Sequence, residues 1–143
     1  MADYTLEAET GHIRLSPVLF RLSARDYFKC YLGFPPGKFS VVPFFLCCRA
    51  IELALKALHL ESKSQKEVKQ LYSHDLEKSY RDLDAEQQTL KPEEKELLIA
   101  ANEIYRDKQF EYLNVFDAGS AYDRFPDLDM LGALARKLTA YDA

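Results

Sequence analysis

Phosphate-cradling glycine loops, cysteine pairs and uninterrupted apolar runs are what this 143-residue chain most lacks. Its five glycines form no such loop, and no serine sits in a nucleophile elbow, so the commonest nucleotide-binding and hydrolase signatures are missing. Three cysteines are an odd count, and Cys47 and Cys48 are adjacent in an apolar stretch. Reduced core thiols fit that better than a disulfide framework or a zinc site. The three histidines, His12, His59 and His74, lack metal-ligand spacing, so no metal and no cofactor is expected. The most apolar segment, Val41 to Leu60, is broken by Arg49, Glu52 and Lys56 and makes a poor membrane span. The opening MADYTLEAETGHIR is polar and mixed, so no secretion signal is read and a cytoplasmic protein is expected. A basic face is missing too. The net charge is −4, and residues 92–143 hold six cations against eleven acids. The nearest thing to a basic row, Arg21, Arg25 and Lys29, reads as a solvated helix face. Bulk charge therefore gives RNA binding no support.

What is present is an ordinary globular balance, 48% apolar and 29% charged, in a length suited to one domain over residues 1–143. Residues 1–15 read as a loosely held N-terminal arm. Ser16-Pro17 starts a helix running to about Leu32, and the stiff turn GFPPGK stops it. Ser40 and Pro43 open a second helix whose Phe44, Cys48, Ile51, Leu55 and Leu58 repeat at helical spacing. Being apolar over most of its circumference, that helix should be central, packed on several sides. Ser64 leads a short helix, and Ser73-His74-Asp75-Leu76 starts one expected to reach Gln88. Lys91-Pro92-Glu93-Glu94 starts another expected to reach Tyr112, and a loop through Gly119 and Pro126 leads to a last helix over 127–141. No repeat, low-complexity tract or convincing strand appears. The expectation is an all-α, up-and-down bundle of four to five helices.

Three constellations could carry chemistry. Arg49, Glu52, Lys56 and His59 form a narrow charged stripe on the central helix. The favoured reading makes it the helix's solvent edge; the sharper one lines a groove or a dimer seam, where a carboxylate paired to cations becomes useful. His74-Asp75 reads first as a helix cap, with His74 as a catalytic candidate only if an orienting partner lies nearby. In NEIYRDKQFEY, residues 102–112, Tyr105, Phe110 and Tyr112 read as core or interface aromatics. Arg106 and Lys108 read as solvated.

RAIELALKALHL, SHDLEKSY and NEIYRDKQFEY, in that order, resemble the bacterial HEPN-like helical domains, which show an ELALKA-type second helix and a GHDL-type start to the third. The resemblance covers about residues 40–112. It implies a compact helical bundle, often a homodimer, in a family whose active members are metal-independent ribonucleases of toxin–antitoxin or defence systems. Their arginine is followed after four to six residues by a histidine. No arginine here has one: after Arg106 those positions hold Glu111, Tyr112 and Leu113. The resemblance therefore implies a non-catalytic branch acting through dimerisation or through binding to a partner such as an antitoxin-type protein or RNA. The positions that match the resemblance are Glu52, Lys56, His74, Asp75, Asn102, Tyr105, Lys108, Phe110 and Tyr112; the first seven, with Arg49 of the charged stripe, become candidate binding residues. His74 and Arg106 remain the weak catalytic candidates, for a diverged ribonuclease in which His74 and either Arg49 or Arg106 meet only in space. A helical interaction scaffold unrelated to nucleic acid is the third reading.

Overall fold

The computed structural model describes residues 5–8, 11–110 and 123–142. Among the described residues six helices make up the body: α1 (Leu15–Leu32), α2 (Val42–His59), α3 (Gln65–Tyr72), α4 (Leu76–Arg81), α5 (Pro92–Tyr105) and α6 (Leu128–Thr139). The all-α expectation holds for that body, with two of the six helices, α3 and α4, very short. The N-terminal stretch departs from it. Within it β1 (Thr5–Ala8) and β2 (Gly11–Arg14) pair antiparallel, with Leu6 opposite Ile13 and Glu7 opposite His12. Each strand alternates over only four residues, too short a period-two signal to separate from coil.

Helix starts follow local chemistry. Ser64 and Glu67 close a reciprocal capping box on α3. Asp75 accepts the Lys78 N–H at the head of α4, and Asp127 accepts the Met130 N–H at the head of α6. Ser40 accepts the Val42 N–H at the entry to α2, with Pro43 harmless in the first turn. Ser16 is an exception: it lies inside the first turn of α1, buried, and its hydroxyl accepts from Gln65 on α3.

Two helices end earlier than their sequences suggest. α4 stops at Arg81, and a short 3-10 turn, Ala85–Gln87, follows where helix was expected to Gln88. α5 stops at Tyr105 because Lys108 turns to φ 60°; the N–H groups of Lys108 and Gln109 then close on the carbonyls of Tyr105 and Ile104. Tyr112, and the expected loop through Gly119, lie outside the described residues.

α2 is the hub, as its composition requires: thirteen of its eighteen residues are buried. α1 and α6 pack on one flank, while α4 and α5 cover another. Ile51 and Leu55 meet Phe28 of α1, Leu76 and Tyr80 of α4, and Leu98 and Ile104 of α5 in one core with Leu131 and Leu134 of α6. Each such side chain contributes about 1.5–3 kcal/mol by leaving water. All three cysteines are unpaired, and burial pushes the Cys47 thiol up to about 12, so it stays protonated. α3 is held by a separate small cluster of Leu60, Val68 and Tyr72, with Phe20 beside it. At the other end four rings meet. Phe44 stacks on Phe110 at 5.6 Å, and Phe125 sets its edge to both at 5.2 Å, with Phe39 alongside.

Candidate functional site

The charged stripe of α2 is not a solvent edge. Glu52 is 2% exposed, Lys56 8% and His59 3%, so the favoured sequence reading fails for these three, while the Arg49 side chain keeps 30% exposure. Neighbours cover this side of α2 as well, because α4 and α5 bring polar side chains to meet it. Glu52 is the centre. Its Oε2 accepts from Arg49 at 2.5 Å and Lys56 at 3.2 Å, while Oε1 accepts from His74 Nδ1 and the Tyr105 hydroxyl, both at 2.7 Å. Four donors on two oxygens use the carboxylate's whole capacity. Burial alone would raise its pKa. The Lys56 charge, the bonds from His74 and Tyr105, and the Arg49 charge outweigh that and hold it below the usual carboxylate range. Tyr105 moves the other way, since burial and then the adjacent Glu52 charge push its phenol far up. Near neutrality the pair is a fixed anion and a fixed O–H donor.

His74 donates through Nδ1 to the ionised Glu52, a bond that sets its tautomer and orients the ring, which also stands edge-on to Tyr105 at 6.1 Å. Its side chain stays 37% exposed. The backbone just before it is strained. Ser73 sits at φ 45°, ψ −116°, and the Asp75 N–H closes the turn on the Tyr72 carbonyl at 2.8 Å. This is the geometry of a type II′ turn, whose first central position ordinarily takes glycine. The GHDL-type start cited above has glycine there, and this chain has serine.

The other sequence candidates sort by distance from Glu52. Asn102 and Asp75 form an architectural pair: Asn102 Oδ1 accepts the Leu76 N–H at 2.8 Å, and its Nδ2 donates to Asp75 Oδ1 at 3.0 Å. That joins α5 to the head of α4 and so places His74. Arg106 is exposed and stands 3.9 Å from the Asp75 carboxylate, with no described bond to Glu52. Lys108 is exposed in the turn after α5 and takes no described part in the cluster. His59 leaves the stripe altogether. Its Nε2–H donates to the Ser79 carbonyl at 2.7 Å and its ring stacks on Tyr72 at 4.3 Å, so burial, its largest influence, holds its pKa below the usual histidine value. Among the described residues no group of three or more His, Cys, Asp or Glu is arranged to hold a metal ion.

Beside the cluster lies a groove of about 850 Å³ between α2 and α3. Its charged lining is Arg49, Lys56, Lys66 and Lys69 against the single carboxylate of Glu52, with His74 at its edge. Phe20, Leu53, Leu60 and Val68 supply apolar wall. Sequence reading passed over Lys66 and Lys69, although their spacing of three places them on one helix face. It also passed over Tyr27, whose ring lies 5.7 Å from the Arg49 guanidinium. Compared with family models, with curated proteins and with solved structures, the chain matches none. No described helix is long and apolar enough to cross a membrane.

Proposed function

We propose that this chain is a HEPN-like helical protein of the cytoplasm that acts by binding rather than by catalysis, as a homodimer or with a second protein, in a toxin–antitoxin or defence setting. One observation carries the binding reading. Among the described residues Glu52 is the one carboxylate lining the groove, and it spends both oxygens on Arg49, Lys56, His74 and Tyr105, so it has no acceptor capacity left for a substrate proton. Such a network rigidifies a surface, and the groove beside it offers cations and apolar wall to a ligand. Purified protein incubated with total RNA should leave it intact, and light scattering at tens of micromolar (roughly the range of a weak dimer) should report twice the chain mass. A monomer throughout that range would remove the dimer from the reading.

A second reading, a diverged metal-independent ribonuclease, is favoured by one specific feature. Arg49 and His74, far apart in sequence, are fastened to the same carboxylate and line the same groove. In such a reaction the carboxylate-oriented histidine would activate a hydroxyl and the adjacent cation would stabilise the phosphorane. RNA cleavage by the wild-type protein that disappears in His74→Ala would establish this reading over the first.

A further inference from the structure

Basic character is concentrated in one concavity of an otherwise acidic molecule. The groove between α2 and α3 sets Arg49, Lys56, Lys66 and Lys69 against the carboxylate of Glu52, whereas the whole chain carries −4. Glu52 is saturated, so a cationic ligand finds no acceptor there, while an anionic one finds donors. Lys56 is the most enclosed of these cations. Its side chain is 10% exposed, yet Glu52 is its one described partner, which leaves two of three ammonium protons for a ligand. Arg49 is held on two sides, by Glu52 and by the ring of Tyr27, and adds its positive charge beside Lys56. Lys66 and Lys69 stand exposed on α3 with no described partner.

The aliphatic wall does not select the ligand. Leu60 is 0% exposed, Val68 2% and Leu53 6%, so they offer an occupant almost no surface, and recognition falls to charge. With histidine counted as neutral, four cations against one carboxylate leave a surplus of +3. A carboxylate cancels one unit of that surplus through two oxygens. A phosphate monoester carries about −1.5 to −2 on three oxygens, and its attraction to each cation rises in proportion. The acidity of the rest of the chain opposes this little. Screening acts over about 8 Å in physiological salt, so a small anion inside the groove meets the local cations, whereas a polyanion also spreads over the acidic exterior. We infer that the groove holds one phosphate dianion, free or as the terminal group of a small monoester, between Lys56 on α2 and Lys66 and Lys69 on α3. The groove's volume, about 850 Å³, leaves room for whatever carries the group. This goes beyond the dimer-or-partner reading above, because it assigns a small-molecule ligand.

The test is a titration with inorganic phosphate at about pH 7.5, where the dianion prevails, with ionic strength held constant by sodium chloride. The imidazole resonances of His74, at the groove's edge, report binding. Those of His59, enclosed against Tyr72 and bonded to the Ser79 carbonyl, serve as the internal reference. Phosphate should shift the His74 signals to saturation and leave those of His59 in place. Lys66→Gln/Lys69→Gln changes two exposed positions, so its circular dichroism should match wild type. It should bind phosphate at least about tenfold more weakly, which is about 1.4 kcal/mol. Lys56→Met should abolish saturation; if that variant fails to fold, the double variant decides. Acetate at the same ionic strength should not saturate. Ribose 5-phosphate binding more tightly than inorganic phosphate identifies a monoester as the source, and equal or weaker binding identifies free phosphate. Several outcomes overturn the inference: a linear response to phosphate, equal affinity in the double variant, or saturation by acetate at the same concentrations. Oligouridylate displacing phosphate at equal phosphorus concentration would also overturn it and assign the groove to nucleic acid. Oligomeric state and RNA integrity are measured separately, so failure here leaves the binding reading to its own tests.

Discussion

Glu52 is the residue on which most of the polar interior depends. Removing it would leave Arg49 and Lys56 close together without their shared anion, and Lys56 nearly buried. Glu52→Ala should therefore cost about 3–5 kcal/mol in urea unfolding. A loss below about 1 kcal/mol would mean that water replaces the carboxylate at little cost. Ser73 offers the opposite sign. At φ 45°, ψ −116° a side chain is strained, and glycine relieves that at some expense in unfolded-chain entropy. Ser73→Gly should raise stability by about 0.5–1 kcal/mol, read as a higher urea midpoint with unchanged slope. The strain lies next to His74, whose ring position depends on this turn.

Between elements, the junction of α4 and α5 depends on one amide. Asn102 is 3% exposed and satisfies the Leu76 N–H, which has left water with it. Asn102→Ala orphans that donor and releases Asp75 Oδ1 from its second bond, so unfolding free energy should fall by about 1–3 kcal/mol. The His74 ring should then lose its fixed orientation, visible as a changed imidazole resonance. The same scale explains how far the elements were legible in the sequence. Starts at Ser64, Asp75, Pro92 and Asp127 could be read because a cap is a contact between residues three apart. The end of α1 at Leu32 was legible too, in the prolines of GFPPGK, but the end of α5 was not, because the positive-φ position after it is held by Lys108 rather than by glycine. The membership of the site was legible in part, since Arg49, Glu52, Lys56, His74 and Tyr105 all stood out. Its burial was not: the groups that cover Glu52 come from 22 and 53 residues further along the chain, and helical spacing carries no information over that distance. Lys66 and Lys69 were visible as residues, but only the fold turns them toward the stripe.

For the whole molecule, buried titratable groups set the response to acid. His59 has a folded pKa below its unfolded value of about 6.5, so the native state binds fewer protons than the unfolded one as pH falls past that point. Stability from His59 is therefore complete above about pH 6.5 and is lost as pH falls through the lower folded pKa. Glu52, also lowered, adds a second loss that begins below about pH 4.3. Urea midpoints measured from about pH 7.5 down to 5.5 should fall, and His59→Gln should flatten that segment even if it lowers stability overall. The four phenylalanine rings have a different whole-molecule consequence. Phe110 lies in the turn after α5, Phe125 just before α6 and Phe44 in the first turn of α2, so their ring contacts tie three helix ends together. Phe125→Ala removes both edge contacts and should lower unfolding free energy by about 1–3 kcal/mol, at about 0.5–1.5 kcal/mol for each aromatic pair. A single ring thus acts as a rivet for segments that meet nowhere else in sequence.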